Sequence, residues 1–205
     1  MRTMHRGRRA GRGVATVLTF MALLAHAAPA QESARSQVSV QIVPTSSNAR
    51  IGRWLELSDD GGTHFHVVLT NVSKEPISLW KEWCSWGYFD LSFEARDSTG
   101  KVVVISKKPR GWLKNFPCPV ELAASEHWVV DVRLEPAIWQ NSPLSDDSGK
   151  ATIRLKAIYE IREDKESKEA KVWTGRVSSP ELEYTISWRS AEAKRTLLRL
   201  QNAKQ

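Results

Sequence analysis

The sequence has few cysteines and, after its first 30 residues, no long apolar run. Cys84 and Cys118 are the only two cysteines among 205 residues. Two distant cysteines cannot supply the four ligands of a zinc ribbon, and the CxxC spacing of thiol-redox motifs is absent. No later apolar run approaches the roughly 18 residues that predict a transmembrane helix. These absences exclude a zinc ribbon, a thioredoxin-like redox motif and a membrane-spanning helix after residue 30.

Catalytic signatures are absent as well. The sequence contains no G-x-S-x-G nucleophile motif and no H-E-x-x-H zinc motif. It also lacks the glycine-rich loops that bind phosphates and dinucleotides. Each of these motifs fixes a nucleophile, a metal or a phosphate in a defined geometry, and none has a counterpart here. We therefore predict a protein that is not an enzyme and needs no cofactor.

Excess basic charge is confined to the N-terminus. The chain carries 30 Lys+Arg and 23 Asp+Glu, a net charge of +7. Residues 1–30 hold five arginines and no acidic residue, so the rest of the chain has 25 basic and 23 acidic side chains and a net charge of +2. A nucleic-acid-binding surface needs concentrated basic charge. The nearly balanced remainder argues against a nucleic-acid partner.

Residues 1–30 have the organisation of a secretory signal peptide. An arginine-rich start precedes an apolar stretch over residues 14–25, and Ala28-Pro29-Ala30 fits the small-x-small cleavage pattern. The apolar stretch is too short to span about 30 Å of hydrocarbon. The sequence therefore predicts cleavage before Gln31 and export to the periplasm or out of the cell, with no integral membrane segment after cleavage.

Export changes the expectation for the two cysteines. In an oxidising compartment, a pair of cysteines in a small protein usually forms a disulfide. Closing the loop between Cys84 and Cys118 would stabilise the fold by roughly 3–4 kcal/mol in the chain-entropy model. The alternative is two buried thiols. We expect the disulfide.

The dominant hydrophobic period after the leader is two, which is typical of half-buried strands. Turn-forming residues separate the alternating runs, and no linker divides the segment. Residues 31–188 are therefore predicted to form one all-β domain, an antiparallel immunoglobulin-like β-sandwich of about eight or nine strands. Residues 189–205 form a basic tail, either a short helix or a frayed end. The clearest alternating runs are 37–42, 64–69, 88–95, 128–134, 153–161 and 182–188.

Several strand ends resemble those of exported immunoglobulin-like domains of bacteria. The similar segments are residues 69–73 (LTNVS), 97–101 (DSTGK), 157–160 (AIYE) and 172–180 (VWTGRVSSP). The resemblance covers about residues 37–188. It implies a β-sandwich and export, and it carries over no active site. The cysteines flank a hairpin here, unlike the inter-sheet pair of antibody domains.

Aromatic residues provide the main candidate binding site. Nine tryptophans occur in the chain, and the segment around Cys84 concentrates them. A bridge between the cysteines would draw Trp112 towards this segment. Such rings either anchor a partner protein, stack on a glycan or fill a small core beneath the loop. The predicted patch comprises Trp80, Trp83, Trp86, Tyr88 and Trp112.

Two weaker candidates remain. His64 and His66 are two apart on a predicted strand and are expected on its solvent side, where His127 is a third candidate metal ligand. We expect these histidines to be ordinary polar surface residues rather than metal ligands. Residues 107–118 could protrude as the reactive loop of a proteinase inhibitor. The leading prediction is an exported protein-binding module.

Overall fold

The computed structural model describes residues 36–45, 53–58, 62–142 and 149–189. These residues fall within one compact unit. Of these described residues 53% are in strands and 7% in helices, so the all-β class is confirmed. The predicted signal peptide and almost all of the basic tail lie outside the described residues, although Arg189 still belongs to the last strand. None of the described helices has the length and apolar character needed to cross a membrane.

The described residues form twelve strands and two short helices, more strands than the eight or nine predicted. The additional strands β4, β7 and β9 have only four, four and two residues, too few for a reliable alternation. The elements are β1 (Val38–Pro44), β2 (Trp54–Ser58), β3 (Phe65–Asn71), β4 (Ile77–Trp80), α1 (Ser85–Tyr88), β5 (Leu91–Arg96), β6 (Val102–Lys107), β7 (Pro119–Leu122), β8 (His127–Val132), β9 (Trp139–Gln140), β10 (Gly149–Ile161), α2 (Lys165–Glu169), β11 (Gly175–Ser178) and β12 (Leu182–Arg189).

These strands make three sheets. One has the order β1-β3-β8, and a second pairs β4 with β7. The largest follows the order β2-β12-β10-β5-β6-β9, with β11 paired to β10, and it curls into a half-barrel. The described pairs are antiparallel except β2 with β12, which is parallel. A mixed edge of this kind departs from the purely antiparallel arrangement predicted.

The core lies between the β1-β3-β8 sheet and the half-barrel. Val38, Val40 and Ile42 are buried, as their alternation predicts. Phe65 of β3 and Phe93 of β5 meet edge to face with ring centroids 5.5 Å apart, which joins the two sheets. Fully buried aromatic pairs of this kind combine a large buried apolar area with a favourable ring geometry.

The strand end around Asn71 shows why its sequence pattern matters for the fold. Asn71 is fully buried, and its side-chain amide donates to the carbonyls of Glu75, Leu122 and Ala123 at 2.8, 2.9 and 3.1 Å. Its side-chain oxygen accepts from the backbone N–H of Ser73 at 2.9 Å. One side chain therefore fixes the loop after β3 against the end of β7.

The charged segment 162–171 contains helix α2. Asp164 begins this helix with a capping box: the Ser167 N–H donates to the Asp164 carboxylate at 2.7 Å, and the Asp164 N–H donates to the Ser167 hydroxyl at 2.9 Å. This reciprocal pair satisfies two N–H groups that a helix start otherwise leaves unpaired.

Candidate functional site

The loop that carries the predicted aromatic patch is tightly built around Lys81. The Lys81 N–H donates to the Cys118 carbonyl at 3.0 Å, and the Lys81 carbonyl accepts the Cys84 N–H at 3.2 Å. A side chain on Gly87 would place its Cβ 2.4 Å from the same Lys81 carbonyl oxygen, so only glycine fits there. This close approach lets the chain turn sharply into α1.

Both cysteines border this loop, and both are free thiols in the structure. Cys84 is buried, whereas Cys118 is half-buried. Lys81 links their backbones, since its N–H donates to the Cys118 carbonyl and its carbonyl accepts the Cys84 N–H. The disulfide itself stays a prediction.

The aromatic rings do not form one patch: Trp80 and Trp86 line one cleft, whereas Trp83 and Tyr88 line another. Trp80 ends β4 and is only 3% exposed, so its predicted place on an exposed patch is wrong. Its ring lies 6.1 Å from the ring of Trp86, at an angle of 39°. Trp83 is 57% exposed and lies beside Lys107 and Arg110 instead. The sequence could not distinguish these two environments.

Rings and cations pack together around Trp83 and Arg110. The Lys81 Nζ lies 5.5 Å from the Trp83 ring centroid. The Arg110 guanidinium carbon lies 4.1 Å from the ring of Trp112 and 5.2 Å from that of Tyr88. Cations at these distances are attracted to ring faces. We call the set Trp83, Tyr88, Lys107, Arg110 and Trp112 the Trp83 face. Tyr88 is only 6% exposed, so its predicted place on an exposed patch is wrong, and Trp83 is the exposed ring of the set.

A cleft of about 370 Å³ lies beside this face. Lys107 forms part of its wall, with Nζ 4.6 Å from the Tyr88 ring. Burial lowers the pKa of Lys107 to about 8, while Glu82 and Asp90 act to raise it and Arg110 acts to lower it. Lys107 therefore remains mostly protonated at pH 7 and adds positive charge to the cleft.

The loop after β6 borders the same face. Leu113 is fully exposed and Phe116 is 75% exposed, which is unusual for large apolar side chains. Asn115, between them, holds the loop against α1 by accepting the Ser85 N–H at 3.0 Å. The candidate inhibitor loop 107–118 is thus attached to the Trp83 face, and an inhibitory role stays a prediction.

A second cleft, of about 580 Å³, is lined in part by Ser85 and Trp86 of α1. Trp86 and Phe89 line it together with Asp90. We call it the Asp90 cleft and define it by Trp80, Trp86, Phe89, Asp90, Glu160 and Asp164.

Asp90 is a functional candidate that the sequence alternation missed. The period of two predicted Phe89 as buried and Asp90 as solvent-facing, but Phe89 is 52% exposed and Asp90 only 8%. The phase changes because β5 begins only at Leu91, after α1 has ended. The sequence signal that could have identified Asp90 is an acidic residue next to three aromatic residues in a turn that contains glycine.

The carboxyl group of Asp90 is poorly satisfied by the protein. Its Oδ2 is buried and has no hydrogen-bond partner among the described residues. Burial raises the pKa of Asp90 to about 8, and Asp164 and Glu160 raise it further, against the effect of Lys107. Asp90 is therefore mostly protonated at pH 7.

The structure does not bring the three candidate histidine ligands together. His64 is buried, which corrects its predicted solvent-facing position: the Leu134 N–H donates to its Nδ1 at 3.0 Å, so its Nε2 donates to the Ser58 carbonyl at 2.8 Å. This ring helps hold β2 near the end of β8. The predicted side was wrong because His64 precedes β3 and so does not follow the alternation of that strand.

The other two histidines have partners far apart on the surface. His66 Nδ1 lies 2.7 Å from an Asp131 carboxylate oxygen, and His127 Nδ1 lies 2.8 Å from the Thr70 hydroxyl. His66 and Thr70 are four residues apart on β3, about 13 Å along the strand. Among the described residues, no three His, Cys, Asp or Glu side chains are grouped to hold a metal ion.

Comparisons with protein-family models, with curated proteins and with solved structures find no match to this chain.

Proposed function

We propose that this protein is an exported, non-enzymatic binding module that holds an acidic partner protein at the Trp83 face. The observation that carries the proposal is the packing of aromatic rings and cations around the exposed Trp83 and around Arg110. Trp and Arg are the residues that most often dominate the affinity of protein interfaces. A rigid β-framework with functional loops at one end suits this role.

The electrostatics of the face determine the kind of partner. Lys81, Lys107 and Arg110 each lie within 6 Å of a ring centroid of the Trp83 face. Acidic side chains of a partner would pair with these cations, while apolar side chains would cover Leu113 and Phe116. A partner that combines both features gains affinity from burial and association rate from charge.

The geometry favours a protein over a glycan on this face. Stacking on a sugar chain requires exposed rings in similar planes. Tyr88 and Trp112 are instead nearly perpendicular, at 83°. Trp83 is the only tryptophan among the described residues that is more than half exposed. Carbohydrate binding by these tryptophans is therefore the second proposal and the weaker one.

Export and an immunoglobulin-like classification belong to the same proposal. The leader over residues 1–30 supports export to the periplasm or out of the cell. A core between two sheets, joined at Phe65 and Phe93, supports the immunoglobulin-like class. The parallel pair of β2 and β12 departs from the antiparallel pairing of that class.

The test is a capture experiment from a cell-envelope extract with residues 31–205 as bait. We expect one acidic protein to be retained by the wild type and lost with Arg110→Glu, and its binding to weaken as salt rises. The matched control is Lys101→Glu, an exposed charge reversal in the β5–β6 turn, away from the face. Equal capture by both variants, or capture that is insensitive to salt, would contradict the proposal.

A further inference from the structure

We propose that the Asp90 cleft binds a small organic cation, an alkylammonium or quaternary ammonium group, between the rings of Trp86 and Phe89 and the carboxyl group of Asp90. The residues that line this cleft are not those of the Trp83 face. The proposal does not depend on the proposed partner protein.

Aromatic faces make the walls of the cleft. The rings of Trp80 and Trp86 pack against each other, with centroids 6.1 Å apart and an angle of 39° between their planes. Phe89 is half-exposed and is held edge to face against Tyr88, with centroids 4.9 Å apart. Rings fixed by such contacts present their faces without the entropy cost of ordering them on binding. Ring faces of this kind are the recognition surface for quaternary ammonium groups.

The carboxyl group at the base of the cleft lacks a protein partner. Asp90 is 92% buried, and the buried Oδ2 accepts no hydrogen bond from any described residue. Its backbone is nevertheless well fixed, because its N–H donates to the Gly87 carbonyl and its carbonyl accepts the Glu160 N–H at 2.9 Å. Leaving a buried polar group unpaired costs stability. A cation bound in the cleft would stabilise the charged form of this carboxyl group through its electrostatic field.

The charge at the mouth of the cleft favours a cation. Glu160 and Asp164 line it together with Asp90. Arg162 is also present, but its side chain is 88% exposed and pairs with Glu160 at 3.4 Å, so it does not reach into the site as a free cation. A second arginine, Arg176, pairs with the other oxygen of Glu160 at 3.3 Å. With Glu160 paired to two arginines, Asp90 and Asp164 are the carboxyl groups of the lining without an ion pair among the described residues.

The groups around Asp90 come from several elements, and they define the pH dependence. Lys107 of β6 attracts its charged form, while Glu160 of β10 and Asp164 before α2 oppose it. Tyr159 of β10 is buried beside it, and its hydroxyl has no hydrogen-bond partner among the described residues. A ligand cation adds positive charge to this set, so binding favours ionised Asp90 and releases a proton.

The experiment compares choline with 3,3-dimethyl-1-butanol, which has nearly the same shape but no charge. Both are titrated into residues 31–205 while tryptophan fluorescence and chemical shifts are recorded. We expect saturable binding of choline and at least about tenfold weaker binding of the neutral alcohol. Choline affinity should rise by about tenfold or more between pH 6 and pH 9, because only the ionised fraction of Asp90 binds strongly.

Variants locate the site. Asp90→Asn preserves the shape of the side chain, so we expect it to lose the preference for choline over the alcohol and the pH dependence. Trp86→Ala should weaken choline binding, whereas Trp83→Ala, at a residue that does not line the cleft, should leave it unchanged. The comparison of the two ligands on the wild type needs no variant to fold.

Two results would overturn the proposal. Equal binding of choline and the neutral alcohol would show an apolar pocket without charge recognition. No response to choline, together with saturable binding of a neutral oligosaccharide that Trp86→Ala abolishes, would make the cleft a glycan site.

Discussion

We expect Asp90→Asn to stabilise the protein at pH 7 much more than at pH 4. In the unfolded chain this carboxyl ionises with a pKa of 3.8, whereas burial in the fold raises the pKa to about 8. Between these values the folded state binds a proton that the unfolded state has lost. The free energy of unfolding therefore falls as pH rises through this interval, by about 1.4 kcal/mol for each pH unit.

The expected magnitude follows from the interval between the two pKa values. From pH 4 to pH 7 the contribution of Asp90 decreases by about 4 kcal/mol, and it decreases further up to about pH 8. Asparagine cannot ionise, so the variant lacks this contribution at every pH. Most other titrating groups are the same in both proteins, and the difference between the two unfolding free energies isolates Asp90.

Urea unfolding followed by circular dichroism between pH 4 and pH 8 measures this difference. The matched control is Asp97→Asn. A hydrogen bond from the Thr99 side chain lowers the pKa of the exposed Asp97 below 3.8. The stability that Asp97 contributes is therefore lost as the pH falls to about 3.8 and below, which is the opposite pH dependence to that of Asp90. A difference between wild type and Asp90→Asn that is constant from pH 4 to pH 7 would refute the placement of Asp90 as a buried acid.

Three further predictions concern the framework of the site. Asn71→Ala removes the donor to three backbone carbonyls, and we expect a loss of about 1–3 kcal/mol for each buried group left unpaired, measured by urea unfolding. Gly87→Ala places a Cβ against the Lys81 carbonyl, so it should lower the melting temperature and also weaken partner capture, whereas a fall in neither would contradict the close approach. Protein purified from the oxidising compartment should show no thiol reactive towards Ellman's reagent, and a reductant should lower its melting temperature. If Cys118 reacts freely without reductant, the disulfide with Cys84 is not formed.

Much of the β-framework could be predicted from the sequence because burial alternates along its long strands. Val38, Val40 and Ile42 are buried on one face of β1, and residues 153–161 lie in the long strand β10. Such regular alternation reports directly which face of a strand is buried. The short strand β4 and its partner β7 carry too few residues for that signal.

The site was harder to predict because it depends on a local change of phase. Trp80 and Trp83 differ by only three positions, yet Trp80 pairs across from Pro119 within a sheet and Trp83 is in the loop that follows. The register of that sheet is set by tertiary contacts, and no periodicity in the sequence predicts it. Asp90 was missed for the same reason, since α1 interrupts the alternation that begins again at Leu91.

His64 shows a different reason for failure. The residue precedes β3, so its ring is not bound by the alternation of that strand, and it turns inwards to bond the backbones of β2 and the segment after β8. A buried histidine whose two nitrogens are both used in this way is a structural residue. Its position two residues before His66 carries no information about a metal.

The central claim is that Trp83 serves a partner and Trp80 serves the fold, and one paired measurement tests it. Unfolding free energy and capture of the partner are measured for Trp83→Ala and Trp80→Ala. We expect Trp83→Ala to change stability by about 1 kcal/mol or less and to abolish capture. Trp80→Ala should cost about 3–5 kcal/mol. A loss of several kcal/mol in Trp83→Ala with undiminished capture would contradict the account.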